Sequence, residues 1–491
     1  MLEHRIFIKR IALVGISKIV SSFRGLILLP ILAKTLGATG YGIWSQILVT
    51  IGLLLPFMML NLNSATVRFL PGEKDNKKIS QGIFTVILTV LFISIFFALV
   101  LFLFSGFFAN ILLKEPSATI FIKLTSALLI LETLNQICLE SFRVFGQIKK
   151  YSILSILQTI LEIILISMLT LSGFGLFGAL VTLMVARVVI LLFSFFFIIS
   201  HVGFSAPNIS LLKPYLAFGL PFLPMVIFDT LINSSDRYII GFFKGASAVG
   251  IYSATYSIGL LAIIFIYPII YILSPTVFKF FDEGKIEKVK IYLSYSLKYF
   301  LLISIPSVFG LTILAKTILR TLTTSEFVLF NSIFIVFWVA LSAVFYGLQS
   351  IYGQIIMIKK ETNFFILAFG AGVAVNLILN IIFIPFLGVI MAAINTTIAY
   401  FVVATLIYFK SIKYIKFKID FVFIFKSILA SSIMSIGIYF LNPIGSVKIF
   451  LTVIVGAVIY FAVLTLVKAV SKEEIAILFS AFGVNNFLEK Y

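Results

Sequence analysis

Acidic residues are scarce in this chain: 18 Asp and Glu among 491 residues, against 37 Lys and Arg. Charged residues of both signs make up only 11%, where a soluble domain carries about 25%. So few charges cannot clothe a chain of this length in a water-facing surface, and water is not its main solvent. Cysteine occurs once, at Cys138, and histidine twice, at His4 and His201. One thiol excludes an internal disulfide and a cysteine-based metal cluster, and two distant imidazoles make no zinc motif. Neither a metal nor a cofactor is expected. No Gly-rich loop ends in Gly-Lys-Ser or Gly-Lys-Thr, so the chain lacks that cradle for ATP phosphates and is not a primary pump by itself. Hydrophilic stretches all stay under about thirty residues, too short for a catalytic domain, and an enzyme is not expected.

Apolar residues fill the space instead, at 62% with a mean hydropathy of +1.21. They gather in runs of about 20 residues, the length that crosses a bilayer as a helix. Fourteen such spans are expected, near 11–33, 41–62, 79–104, 117–139, 151–172, 175–200, 215–235, 250–273, 291–315, 327–350, 363–384, 387–409, 421–441 and 447–470. A run such as Ile83 to Phe104 is apolar on every face, which excludes the alternation of a barrel strand. His4, Arg5, Lys9 and Arg10 before the first run imitate a signal peptide, but no small-residue cleavage site follows, and the run is taken as the first transmembrane helix.

The net charge of +19 would suggest nucleic acid as a partner in a soluble protein. Its placement excludes that reading, because the cations cluster in short segments between apolar runs, as in Glu73 to Lys78, Lys279 to Lys290 and Lys410 to Lys418. With the N-terminus in the cytoplasm, 24 of the 37 cations fall on the cytoplasmic side, seven outside and six within spans. This bias predicts a multi-pass protein of the plasma or inner membrane with both termini cytoplasmic. Contact of the basic loops with anionic headgroups is a secondary expectation.

An internal repeat emerges at a shift slightly above 200 residues. Gly37, Ala38, Gly42, Ile43 and Ser45 match Gly245, Ala246, Gly250, Ile251 and Ser253 at a constant shift of 208. Ser64, Thr66 and Val67 match Ser274, Thr276 and Val277; Gly146 and Gln147 recur as Gly353 and Gln354; Gly175 and Ala179 pair with Gly388 and Ala392. Six spans per repeat is an even number, so both copies enter the membrane in the same direction. The expected fold is an all-α integral membrane protein with a six-helix lobe over 1–210, a second over 211–412, and two further helices with a tail over 413–491. Such lobes leave a cavity between them, as is usual for transporters.

The first helix pair carries a resemblance: Gly15, the turn Leu36-Gly37-Ala38-Thr39-Gly40-Tyr41-Gly42, and Ser64-Ala65-Thr66-Val67-Arg68. It resembles the polysaccharide-exporter and O-antigen flippase branch of the multidrug/oligosaccharidyl-lipid/polysaccharide superfamily, over nearly the whole chain. The resemblance implies flipping of a polyprenyl-diphosphate-linked oligosaccharide to the outer leaflet by alternating access, for cell-surface polysaccharide biosynthesis. Polymerase or export proteins would be its further partners. Lys18 and Arg24, following Ser17, also resemble the paired basic positions in the first helix of the lipid II flippase branch, where the pattern has arginine at both; lysine gives up a bidentate phosphate contact.

Ionisable groups inside spans cost about 2.5 to 3.5 kcal/mol at the bilayer centre and need a partner, water or a function. Lys18, Arg24 and Arg187 are the candidates for a cationic cavity that attracts a diphosphate. The plainer reading has Lys18 reaching to the interface and Arg187 paired with a buried glutamate. Glu132, with Gln136 and Glu140, and Glu162, four residues after Gln158, form polar stripes on spans four and five. They either carry a coupling proton or sodium ion, or fix the lobe by pairing with Arg24 or Arg187. Asp229 joins them as a coupling candidate, with Asn233 and Arg237 at spacings of four and Asp236 beside them. Asp236 and Arg237 fall either in the seventh span or in the loop after it. Pro221 and Pro224 are expected to kink that span and let it act as a gate. Asn376 and Asn380 read first as glue between helices.

A proton- or sodium-coupled multidrug antiporter of the same superfamily is the alternative, and would favour acidic residues in the cavity. A membrane polymerase or ligase would need a large outer loop, and the outer segments are short.

Overall fold

The computed structural model describes residues 2–329 and 331–469; side chains are described from residue 20 onward, and for Gly15 and Ser17 before it. The C-terminal tail from 470 lies outside the described residues, as does the side chain of Lys18. Every regular element among them is helical: α1 (Leu2–Met59), α2 (Leu62–Phe69), α3 (Asn76–Leu103), α4 (Ser105–Phe107), α5 (Thr119–Val144), α6 (Ile148–Leu169), α7 (Gly175–Val202), α8 (Leu212–Gly219), α9 (Leu223–Gly259), α10 (Ile266–Asp282), α11 (Ile286–Leu322), α12 (Ser332–Ile358), α13 (Asn363–Leu387), α14 (Ile390–Ser411), α15 (Phe421–Leu441) and α16 (Ser446–Leu466). Short 3-10 and π turns join some of them.

Eleven helical stretches among the described residues are long and apolar enough to cross a membrane. Three of these, Val20–Met59, Ile148–Val202 and Ile209–Asp282, run to 40, 55 and 74 residues. At 1.5 Å per residue even the shortest would reach about 60 Å, twice the ~30 Å hydrocarbon thickness, so none is a single crossing. Each is interrupted by glycines with positive φ: Gly37 in the first, Gly173 and Gly175 in the second, Gly203 just before and Gly245 within the third. Counting the halves separately gives the fourteen spans expected. The chain is a multi-pass membrane protein.

Contacts divide it into two compact units, one of residues 2–257, Leu322–Leu329 and Asn363–Val403, the other of Ile258–Thr321, 331–362 and 404–469. In the first, α3 and α5, α5 and α7, and α6 and α7 pack pairwise, and α6 lies along α1. Its core runs through Leu29, Leu32, Ala33, Leu129, Ile166 and Ala179, all closed to solvent. In the second, α12 packs on α10 and on the 3-10 turn Leu260–Phe265, while α15 packs on α16. Tyr460 of α16 shares a hydrogen bond with Ser427 of α15 at 2.7 Å and donates to the Leu302 carbonyl of α11 at 2.9 Å, giving an otherwise costly buried hydroxyl its partners. Outward faces such as Phe92, Phe96, Leu99 and Leu103 of α3 stay exposed, as lipid-facing side chains do.

The repeat has a physical cause at Gly37 and Gly245. Their backbones (φ 66, ψ −177 and φ 83, ψ 176) lie in a region essentially reserved for glycine, and each breaks its helix. Just beyond the breaks the two copies touch. A Cβ on Gly42 would stand 1.9 Å from the Ala246 carbonyl oxygen, and one on Gly250 2.0 Å from that of Ala38. Only glycine permits this backbone approach, and it is reciprocal. The amide of Ala38 donates to Glu326 Oε1 at 3.1 Å, and that of Ala246 to the Leu113 carbonyl at 2.9 Å, so each restarted helix is capped by a loop of the other copy.

Candidate functional site

Because α6 lies along α1, and α5 and α7 pack beside it, four intramembrane charges converge. Arg24 Nη1 on α1 donates to Glu162 Oε2 on α6. Arg187 on α7 donates through Nη1 to Glu162 Oε1 and through Nε to Glu132 Oε2 on α5. Two guanidiniums and two carboxylates thus form one chain, Arg24–Glu162–Arg187–Glu132, with no net charge. Gln158 Nε2 adds a bond to Glu162 Oε1 at 3.2 Å, Asn135 Nδ2 holds Gln158 Oε1 at 3.0 Å, and the Ser21 and Thr159 hydroxyls meet at 3.2 Å. The i to i+4 spacing of Gln158 and Glu162 puts both side chains on the face turned to this cluster.

Exposure divides the cluster. Glu162 is fully closed off, Arg187 is 6% exposed in its side chain and Glu132 19%, whereas Arg24 is 31% exposed. Arg24 is therefore the cation of the cluster most open to a partner from outside the helices. Each carboxylate is bonded to an arginine, and Glu162 to two. Lys18 lies on α1 six residues before Arg24, its side chain outside the described residues.

A second cluster is built on α9. Asp236 and Arg237 are buried within this helix rather than in a loop after it. Arg237 donates to Asp236 Oδ1 at 3.1 Å and to the Asn233 carbonyl at 2.6 Å, and lies over the Tyr256 ring at 4.3 Å. Tyr252 donates to Asp236 Oδ2 at 2.5 Å. A buried carboxylate is thus paired and hydrogen-bonded on both oxygens, which offsets its desolvation. Asp229 is partly exposed and accepts from Tyr400 of α14 at 3.1 Å.

Asn376 and Asn380 join α9, α13 and α14. Asn376 Oδ1 accepts from Ser235 at 3.0 Å and from Asn380 Nδ2 at 3.0 Å, its Nδ2 reaches Thr396 at 3.3 Å, and Asn395 Nδ2 reaches Asn380 Oδ1 at 2.9 Å. They are buried connectors between helices. Pro221 lies in a 3-10 turn, Leu220–Phe222, and Pro224 in the first turn of α9, where its missing N–H removes no helical bond. The pair marks the join between α8 and α9.

Sequence reading did not single out Tyr252, Tyr256 or Tyr400 as partners of the α9 charges, nor Glu326 as a cap. Tyr252 and Tyr256 stand four apart, a spacing that puts both on one helix face; no signal pointed to Tyr400 or Glu326.

Fourteen apolar spans among the described residues, a repeat that meets at paired glycines, and a charge-compensated cluster inside the first compact unit define a helical membrane transporter fold. In agreement, 97% of the chain superposes on 99% of a lipid II flippase MurJ in an inward closed conformation, with a TM-score of 0.75 at 19% identity. An inward-facing multidrug resistance MATE family transporter of the MOP superfamily aligns with a TM-score of 0.65 at 16% identity, over 80% of this chain and 94% of that one. A probable low-salt glycan biosynthesis flippase, Agl15 of Haloferax volcanii, is 24% identical over 165 residues, 34% of this chain and 34% of its own. The matched stretch thus spans about a third of that relative's length. The polysaccharide biosynthesis protein family matches residues 7–281, more than half of the chain, and the chain belongs to it.

Proposed function

We propose that the protein is a flippase that moves a polyprenyl-diphosphate-linked oligosaccharide from the cytoplasmic to the outer leaflet by alternating access of two lobes, 1–210 and 211–412, with 413–491 appended. The observation that carries this reading is Arg24: a guanidinium within a membrane span, anchored by a buried carboxylate yet itself partly exposed. A guanidinium fork suits a phosphate group better than an ammonium does. Arg187, nearly closed off, supports Arg24 through Glu162, and Lys18 is a further cation of the same helix. The reading is also supported by the family and by the likeness to a glycan flippase and a lipid II flippase.

In this reading the membrane is the plasma or inner membrane, both termini are cytoplasmic, and surrounding lipids are its solvent. Asp229, Glu132 and Glu162 are the candidates for coupling to a proton or sodium ion, the α8–α9 join at Pro221 and Pro224 is the bending point, and polysaccharide polymerase or export proteins receive the product. The contact at Gly42 and Gly250 is its closed outer gate.

A multidrug antiporter is the second reading, favoured by the likeness to the MATE transporter and by the intramembrane carboxylates. The decisive experiment reconstitutes the protein in vesicles with a fluorescent polyprenyl-diphosphate sugar and a cationic dye, with and without proton or sodium gradients. Lipid translocation that disappears in Arg24→Ala is the expected result. Gradient-driven dye efflux with the lipid immobile would replace the flippase by the antiporter.

A further inference from the structure

Arg24 and Arg187 share Glu162 on unequal terms. Arg24 uses Oε2, whereas Oε1 receives both Arg187 Nη1 and Gln158 Nε2. Of these three side chains Arg24 is the exposed one, at 31% against 6% for Arg187 and none for Glu162. An anion arriving from the open side therefore reaches Arg24 before the nearly closed-off Arg187. If Arg24 turns away, Glu162 keeps both bonds at Oε1, to Gln158 and to an Arg187 that it shares with Glu132, so the carboxylate is not left without a hydrogen-bonded cation.

We propose that Glu162 is a resident counter-ion: it occupies Arg24 in the empty protein and yields that guanidinium to the substrate's diphosphate on binding. The inference rests on the flippase reading and adds a selectivity mechanism to it. Carboxylate and phosphate oxygens match the same guanidinium donors, so they compete for them. A diphosphate brings more oxygens and more charge than a carboxylate and displaces it. A single phosphate, such as the headgroup of an ordinary phospholipid, does so poorly. A guanidinium standing bare in a membrane cavity would collect those abundant headgroups; one already engaged by Glu162 does not. Gln158 and Arg187 are positioning residues, holding Glu162 so that it neither follows Arg24 nor leaves it bare.

The test measures binding of farnesyl diphosphate, farnesyl monophosphate and farnesol to the purified full chain. Wild type should prefer the diphosphate. Glu162→Gln removes the competing charge, and should bind the diphosphate about tenfold tighter and acquire binding of the monophosphate. Its translocation of the lipid-linked sugar should slow, because release is slower. This split between tighter binding and slower transport is not what a merely structural residue produces. Glu162→Asp keeps the charge beside Arg187 while shortening the reach to Arg24, and should move binding the same way. In Arg24→Ala/Glu162→Gln the gain should vanish. Weaker diphosphate binding in Glu162→Gln and Glu162→Asp, or a gain that survives removal of Arg24, would overturn the counter-ion role while leaving the flippase reading intact. A wild-type protein indifferent between farnesyl diphosphate and farnesol would instead remove the diphosphate reading beneath it.

Discussion

Ser45 donates a hydrogen bond to Ser253 at 2.7 Å, buried, and the two residues are the same position of the repeat at its shift of 208. The contact between copies is thus made by equivalent atoms from both sides, flanked by the reciprocal approach of Gly42 to Ala246 and of Gly250 to Ala38. Alternating access requires that such a contact part once per cycle. Cysteines at both positions should form a disulfide under mild oxidant, because the two side-chain tips already lie within bonding reach. In a background where the sole native thiol is removed by Cys138→Ser, oxidised Ser45→Cys/Ser253→Cys should lose lipid translocation and regain it on reduction. Full transport with the bond closed would show that this contact does not open.

Gly42→Ala and Gly250→Ala place a methyl group where a backbone carbonyl stands, at 1.9 and 2.0 Å. A carbonyl cannot swing aside as a flexible side chain does, so the helices must separate, at a cost of about 1–3 kcal/mol. The closed contact should be depleted, read as at least about fivefold faster thiol labelling of Ser45→Cys. Gly52→Ala is the control: a Cβ there meets nothing within 4 Å, and labelling should not change.

Glu326 caps one restarted helix with a side chain, while the equivalent cap on the other copy is the Leu113 carbonyl. Mutation can remove the first and not the second. A carboxylate at a helix N-terminus gains from the dipole, and losing such a cap costs about 0.5–2 kcal/mol. Glu326→Ala should accelerate labelling of Ser253→Cys, whereas Glu326→Gln, which retains an acceptor oxygen, should have a smaller effect. Equal labelling in wild type and Glu326→Ala would show that the cap does not hold the contact.

The spans were legible because membrane solvent imposes an unbroken apolar length, and the repeat because Gly37, Gly42 and their counterparts serve a geometry no other residue meets. The partners of the charges were less so. The spacing of Gln158 and Glu162 says that they share a face, but not that this face meets α1, since helix packing brings together residues 138 positions apart. Composition likewise counts more cations than anions in the first lobe without revealing that Arg24 and Arg187 are each bonded to a carboxylate. Glu326 lies in the short 3-10 turn Ser325–Phe327 with no local pattern, joined to Ala38 across 288 positions.

The cluster around Glu162 makes a stability prediction separate from transport. Glu162→Ala leaves Arg24 without that partner and Arg187 with Glu132 alone, deep among helices. Breaking one side of a buried ion pair costs about 3–5 kcal/mol, whereas replacing a whole group by apolar residues costs far less. Glu162→Ala should therefore lower the thermal midpoint in detergent by several degrees, and Glu162→Ala/Arg24→Met should recover part of that loss. No recovery in the double variant would mean that Glu162 supports the fold through Arg187 alone.

Asp229 differs from the other carboxylates on these helices, because its bonded partner is the Tyr400 hydroxyl rather than a cation. A carboxylate that is partly exposed in a membrane span and held by one neutral donor is free to exchange a proton or a sodium ion without breaking an ion pair. Asp229→Asn keeps the size and the acceptor for Tyr400 while removing the charge. In gradient-loaded vesicles this variant should lose the stimulation of lipid translocation by the gradient and retain the slow equilibrative flipping seen without one. Tyr400→Phe should act in the same direction more weakly, since it leaves the charge in place. Gradient stimulation undiminished in Asp229→Asn would transfer the coupling role to Glu132 or Glu162, whose bonds to arginine would then have to break during each cycle.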